Sequence, residues 1–169
     1  ALRPHLAARH DVSSVRPRFA VGASPFHTKG NLYKGGISYL QEKGVWARVL
    51  AALPDDAHRD FMEQTFLVAS WYDILPVRAL DVAAAAVLGV SLEEHVLDNV
   101  RRQFARDVGG VYRLLLRFTS PRSVIDRVTR VSAQYFDFGE AKVLRDEPGY
   151  VEAERSGIPT LLSTWFATA

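Results

Sequence analysis

Apolar residues recur at helical spacing through most of the chain and at strand spacing only near its end, so the pattern predicts helices followed by a hairpin. A first helix is expected from Thr28, with Leu32, Tyr33, Ile37 and Leu40 on one side and Gly44 at its end. A second covers Val45–Leu53 through Trp46, Val49, Leu50 and Leu53. Pro54-Asp55-Asp56 opens a third, whose acidic first turn suits the helix dipole and whose Phe61 and Met62 face the core. Ser70-Trp71-Tyr72-Asp73 reads as the start of a fourth, with Asp73 as N-cap, Pro76 in the opening turn and Leu88 at the end. The four alanines Ala83–Ala86 thin its surface, so a neighbouring helix can approach closely.

Gly89-Val90-Ser91 marks a junction. Ser91 and Glu94 stand at capping-box spacing, and Leu92, Val96, Val100 and Phe104 line the helix they start until Gly109-Gly110. Val111–Phe118 is a short apolar helix, and Ser120-Pro121 opens another through Tyr135, striped by Val124, Ile125, Val128 and Val131. Ala141–Asp146 and Tyr150–Arg155, joined across Glu147-Pro148-Gly149, predict a β-hairpin. A last helical segment follows Ile158-Pro159 and ends in Trp165-Phe166. The expected fold is α+β: a bundle of about six helices beside a small antiparallel hairpin or sheet.

Composition narrows the class. With 169 residues, 48% hydrophobic and 24% charged, the chain can bury one core unaided. It has no cysteine, which removes disulfides, zinc–thiolate sites and thiol nucleophiles and suits the cytoplasm. The longest apolar run, Val82–Val90, is too short to span a bilayer. Residues 1–6 lack the long apolar stretch of a signal peptide, and the apolar run at the end suggests that the chain continues past Ala169. Arg3, Arg9, Arg16 and Arg18 against Asp11 give residues 1–20 a charge of +3. Residues 1–25 therefore read as a basic extended arm or linker and 26–169 as a single domain. The remainder is close to neutral, so no specific nucleic-acid surface is expected.

Several side chains invite a functional reading. His95 sits at the border of the apolar stripe on the capped helix, about 60° from Leu92. Trp71 and Tyr72 combine an apolar body with a polar tip, the shape that orients an amphipathic ligand. Arg113 and Arg117 share a helix face and could contact a carboxylate or phosphate. No His-x-x-x-His pair, Gly-x-Ser-x-Gly elbow, phosphate loop or dinucleotide fingerprint occurs. The residues thus name no catalytic mechanism and no dedicated metal site.

Val49-Leu-Ala-Ala-Leu-Pro54, Ser70-Trp-Tyr72, Gly110-Val-Tyr-Arg-Leu-Leu-Leu-Arg117, Ser120-Pro121 and Tyr135-Phe-Asp-Phe-Gly139 come in that order. Together they resemble a paralogous myxobacterial domain family related to the haem-nitric-oxide-binding (H-NOX), 4-vinyl-reductase and TRAPP-type ligand-binding superfamily. The resemblance spans residues 20–166 and rests on packing motifs. It implies helices beside a small sheet, enclosing a pocket for a small apolar or amphipathic molecule in a sensory or signalling domain. Its lining would draw on Trp71, Tyr72, His95, Phe104, Tyr112, Leu115 and Tyr135. The alternatives it implies are a TRAPP-like scaffold that binds a partner protein or forms a homodimer, and a haem-based gas sensor ligated by His95. Two departures count against familiar uses: TRAPP-type acylation needs a cysteine, and the Tyr-x-Ser-x-Arg haem-propionate motif is missing.

Overall fold

The structure, a computed structural model, describes residues 19–108, 133–147 and 150–162. The element order is β1 (His27–Lys29), α1 (Gly30–Glu42), α2 (Trp46–Ala51), α3 (Asp56–Glu63), β2 (Trp71–Asp73), α4 (Pro76–Leu88), α5 (Leu92–Val108), β3 (Glu140–Glu147) and β4 (Tyr150–Ser156). A 3-10 turn, Thr160–Leu162, follows. The fold is α+β, helices with small antiparallel sheets, as the periodicity implied. The predicted helices over 111–118 and 120–132 lie outside the described residues, as does the segment after Leu162; residues 133–135 are helical.

Two local expectations are corrected. The first helix starts at Gly30 because Thr28 is held in a strand. β1 pairs antiparallel with β2, setting His27 opposite Asp73, Thr28 opposite Tyr72 and Lys29 opposite Trp71. Thr28 also bridges to Phe136. Trp71–Asp73, expected as the entry to the fourth helix with Asp73 as its N-cap, forms a strand instead, and α4 starts at Pro76 after an N-cap, Leu75, that offers no side-chain hydrogen bond. Proline suits that first turn because it has no N–H to leave unpaired.

Elsewhere the end signals work as expected. Asp55 caps α3, accepting the His58 N–H at 2.9 Å. Gly89 ends α4 in the left-handed conformation at φ 73°, which an L side chain resists. Ser91 Oγ accepts the Glu94 N–H at 3.1 Å to start α5.

The core forms where α1, α2, α3 and α4 converge over β2. Tyr33, Leu40, Val49, Met62 and Ile74 are buried there, and Leu162 returns to join them. Tyr33 stacks on Phe66 with ring centroids 4.5 Å apart, while Phe61 and Tyr72 meet Phe66 edge-on. Ala83, Ala84 and Ala85 are buried on α4, which packs against both α2 and α5, so the alanine run provides the close approach its size allows.

The hairpin pairs Glu140 with Ser156 through Glu147 with Tyr150, with an irregularity between Val143 and Arg145. Val143, Leu144 and Tyr150 are exposed on it. Its base is anchored by Phe136, Phe138 and Ile158, which pack against the core.

The fold also begins earlier than the expected boundary at residue 26. Gly22 and Ser24 are tied by hydrogen bonds to Asp73, so the last residues of the predicted arm belong to the domain.

Candidate functional site

Two polar side chains meet inside the helical layer, and a third lies one helical turn away. Asp81 on α4 and His95 on α5 are each 3% exposed at the side chain, with Oδ1 and Nε2 3.3 Å apart. Asn99 is four residues beyond His95, on the same face of α5, and is also buried. Facing them is α1. A Cβ built on its buried Gly36 would meet, among described atoms, Asn99 Nδ2 at 3.9 Å. The glycine therefore presents no side chain of its own to the buried Asn99 amide.

Burying such groups among apolar neighbours is costly unless they pair, so the cluster must be held in place. Two flanking features hold it. Tyr39 of α1 donates to Asp98 Oδ2 at 3.0 Å, and Arg102 Nε donates to the same oxygen at 2.9 Å. The Tyr39 bond ties α1 to α5 one residue from Asn99, and the Arg102 bond, within α5, fixes the carboxylate that receives it. Burial opposes ionisation of Asp98, but the hydrogen bonds from Arg102 and Tyr39 outweigh it and hold the carboxyl below its ordinary range. Tyr39 is shifted the other way, upward, by burial and then by its bond to Asp98.

On the inner side, Tyr33 donates to the Asp73 carbonyl at 2.6 Å. Burial first, then the negative charges of Asp73 and Asp81, push its phenol well above the usual value. It thus stays a proton donor at physiological pH. The fixed acid on this side is Asp73, whose carboxylate accepts the Gly22 and Ser24 N–H groups, the Ser24 hydroxyl and the Leu75 N–H.

The residues picked out by sequence separate into different environments. His95, expected at the border of the apolar stripe, is buried with its ring beside Asp81. Trp71 and Tyr72 alternate along β2 and so face opposite ways. Trp71 is 43% exposed with Lys29 Nζ 3.7 Å from its ring centroid, whereas Tyr72 turns to Phe66 and accepts the Leu67 N–H at its hydroxyl. They do not line one pocket with His95. Tyr135 is partly buried just before the bridge at Phe136. Phe104 falls on α5, and Tyr112, Arg113, Leu115 and Arg117 lie outside the described residues.

Asp81 was missed by sequence reasoning. Its signal was nonetheless visible: it is the single charged residue between Arg78 and Glu93, set in an alanine-rich helix. The haem arrangement does not fit these residues. Nε2 of His95 faces the Asp81 carboxylate, and no Tyr-x-Ser-x-Arg motif is present to hold propionates. Among the described residues no group of three or more His, Cys, Asp or Glu side chains is placed to hold a metal ion, and no helix is long and apolar enough to cross a membrane.

Compared with protein-family models, with curated proteins and with solved structures, the chain gave no match in any of the three.

Proposed function

We propose that the chain is a non-catalytic ligand-binding domain of sensory type, taking a small amphipathic molecule between α1, α4 and α5. The observation that carries this is the buried Asp81–His95 pair, with the buried Asn99 one turn further along α5 beside Gly36 of α1. A largely apolar cavity with a few convergent polar groups is the usual make-up of a small-molecule site. Asn99 and His95 would orient a neutral polar end, such as a hydroxyl, amide or ester, since a carboxylate would meet the charge of Asp81. Val96 and the alanines of α4 would cover the apolar part. The superfamily resemblance points to the same use.

Solvent extraction of purified protein, followed by mass spectrometry, tests the reading. The wild type is expected to yield one enriched amphipathic compound in near-stoichiometric amount. Gly36→Leu, which places a side chain in the space beside Asn99, is expected to fold and yield none. Blank extracts from both proteins would refute the reading and leave the scaffold alternative, for which the exposed Val143, Leu144 and Tyr150 of the hairpin speak.

A further inference from the structure

The loop between α3 and β2 combines properties that core packing does not require. From Gln64 to Tyr72 it has no charged residue. Leu67 and Val68 are 61% and 54% exposed, and the neighbouring Trp71 is exposed as well. Apolar side chains in a loose loop usually fold inward. Here the backbone prevents that, because it is fastened to the domain at nearly every step.

The Leu67 N–H donates to the Tyr72 hydroxyl, which also reaches the Thr65 carbonyl. The Val68 and Ser70 carbonyls accept the first N–H groups of α1, from Asn31 and Gly30, at 3.3 and 3.0 Å. Ser70 N–H closes a turn on the Leu67 carbonyl, and the Ala69 carbonyl takes Lys29 Nζ at 2.8 Å. Gly30 makes this fit possible, since a Cβ there would lie 2.3 Å from the Leu67 oxygen. The loop thus holds its apolar side chains outward while most of its peptide groups already have partners within the protein.

We propose that this loop docks the domain on the surface of a lipid bilayer, inserting Leu67 and Val68 and seating Trp71 at the headgroup boundary. Entering an apolar phase is costly mainly through unpaired peptide groups, and these are largely satisfied in advance. Tryptophan favours the boundary between headgroups and acyl chains. Lys29, held over its ring, places an ammonium at phosphate depth. The patch is too small for the alternative of a stable protein partner. Among the described residues its three exposed side chains fall well short of the roughly 20–30 residues a side in a standard interface. A bilayer needs no complementary surface, and attachment this shallow is expected to be reversible, weaker than the ~10⁴ M⁻¹ of one myristoyl chain.

Co-sedimentation with neutral phosphatidylcholine vesicles at millimolar lipid tests this without help from the basic residues 1–20. The full chain is expected to sediment with the vesicles, and its tryptophan fluorescence to be quenched by bromine-labelled acyl chains, the quenching falling in Trp71→Phe. The double variant Leu67→Asp/Val68→Asp should keep its circular dichroism and lose at least about tenfold in partitioning, each charge opposing insertion. Adding phosphatidylserine should strengthen wild-type binding, and less so in Lys29→Gln. No sedimentation, equal sedimentation of the double variant, or self-association through these residues without vesicle binding would each overturn the proposal. Gly36→Leu should bind vesicles as the wild type does, so failure of the ligand-binding reading leaves this result unaffected.

Discussion

Asp73→Ala is expected to destabilise the protein by about 4 kcal/mol, the sum of several hydrogen-bond donors left buried or half-buried without their charged acceptor. Asp73 is 3% exposed, and its two oxygens accept four hydrogen bonds: from Gly22 and Ser24 N–H at 3.0 and 3.2 Å, from the Ser24 hydroxyl at 2.5 Å and from Leu75 N–H at 2.9 Å. It therefore joins the start of the domain, the end of β2 and the lead into α4. Alanine removes every one of these acceptors at once, and only the Ser24 hydroxyl has another within reach, the Phe26 carbonyl at 3.2 Å. Asp73→Asn keeps the volume but turns an amide N–H₂ towards donors, so it should lose roughly half as much. Urea unfolding measures both. Limited proteolysis should show faster cleavage around residues 19–26 in the alanine variant. A loss below about 1 kcal/mol would mean that water replaces the carboxylate without penalty.

The second large effect is expected at Gly30→Ala. Alanine is a better helix former than glycine by about 1 kcal/mol, and by propensity alone the change would stabilise α1. The added Cβ, however, would lie 2.3 Å from the Leu67 carbonyl oxygen and 2.8 Å from a Tyr72 ring carbon. The oxygen belongs to backbone, so the loop itself has to move, breaking its bonds to the Gly30 and Asn31 N–H groups. Overpacking of this kind typically costs about 1–3 kcal/mol, and the lost bonds add to it, so a net loss of about 3 kcal/mol is expected in thermal or urea unfolding. The same substitution at Gly36, where the added Cβ meets Asn99 Nδ2 at an ordinary 3.9 Å, should be neutral or slightly stabilising. Equal effects at the two glycines would contradict this account of the loop.

These positions also show how much was legible beforehand. Helix periodicity located α1 to α5 within a few residues, because long amphipathic stripes and strong end signals such as Gly89 and Ser91 agree with each other. The strands β1 and β2 were not legible. Three residues are too few to display a two-residue alternation, and their pairing joins positions about 45 apart in sequence. Asp73 was recognised as a capping type, yet its carboxylate serves a segment 49 and 51 residues earlier as well as Leu75. The candidate site divides in the same way. His95 stood out as a histidine near an apolar stripe, but its partner Asp81 lies on another helix, and only the packing of α4 on α5 brings the two together. Leu67 and Val68 carry no pattern in the sequence that sets them apart. Their exposure follows from hydrogen bonds to α1 that no local pattern encodes.

Together these features describe a domain with a polar-lined junction inside its helices and an apolar loop held outward at one end. The proposed function requires that the junction receive a molecule from outside the chain. Intact mass, compared under native and denaturing conditions on the same preparation, tests it most directly. The native mass is expected to exceed that of the polypeptide by one small molecule, with the excess lost in His95→Ala and in Gly36→Leu. A wild-type native mass equal to that of the bare chain, in preparations purified without detergent or solvent, would contradict it.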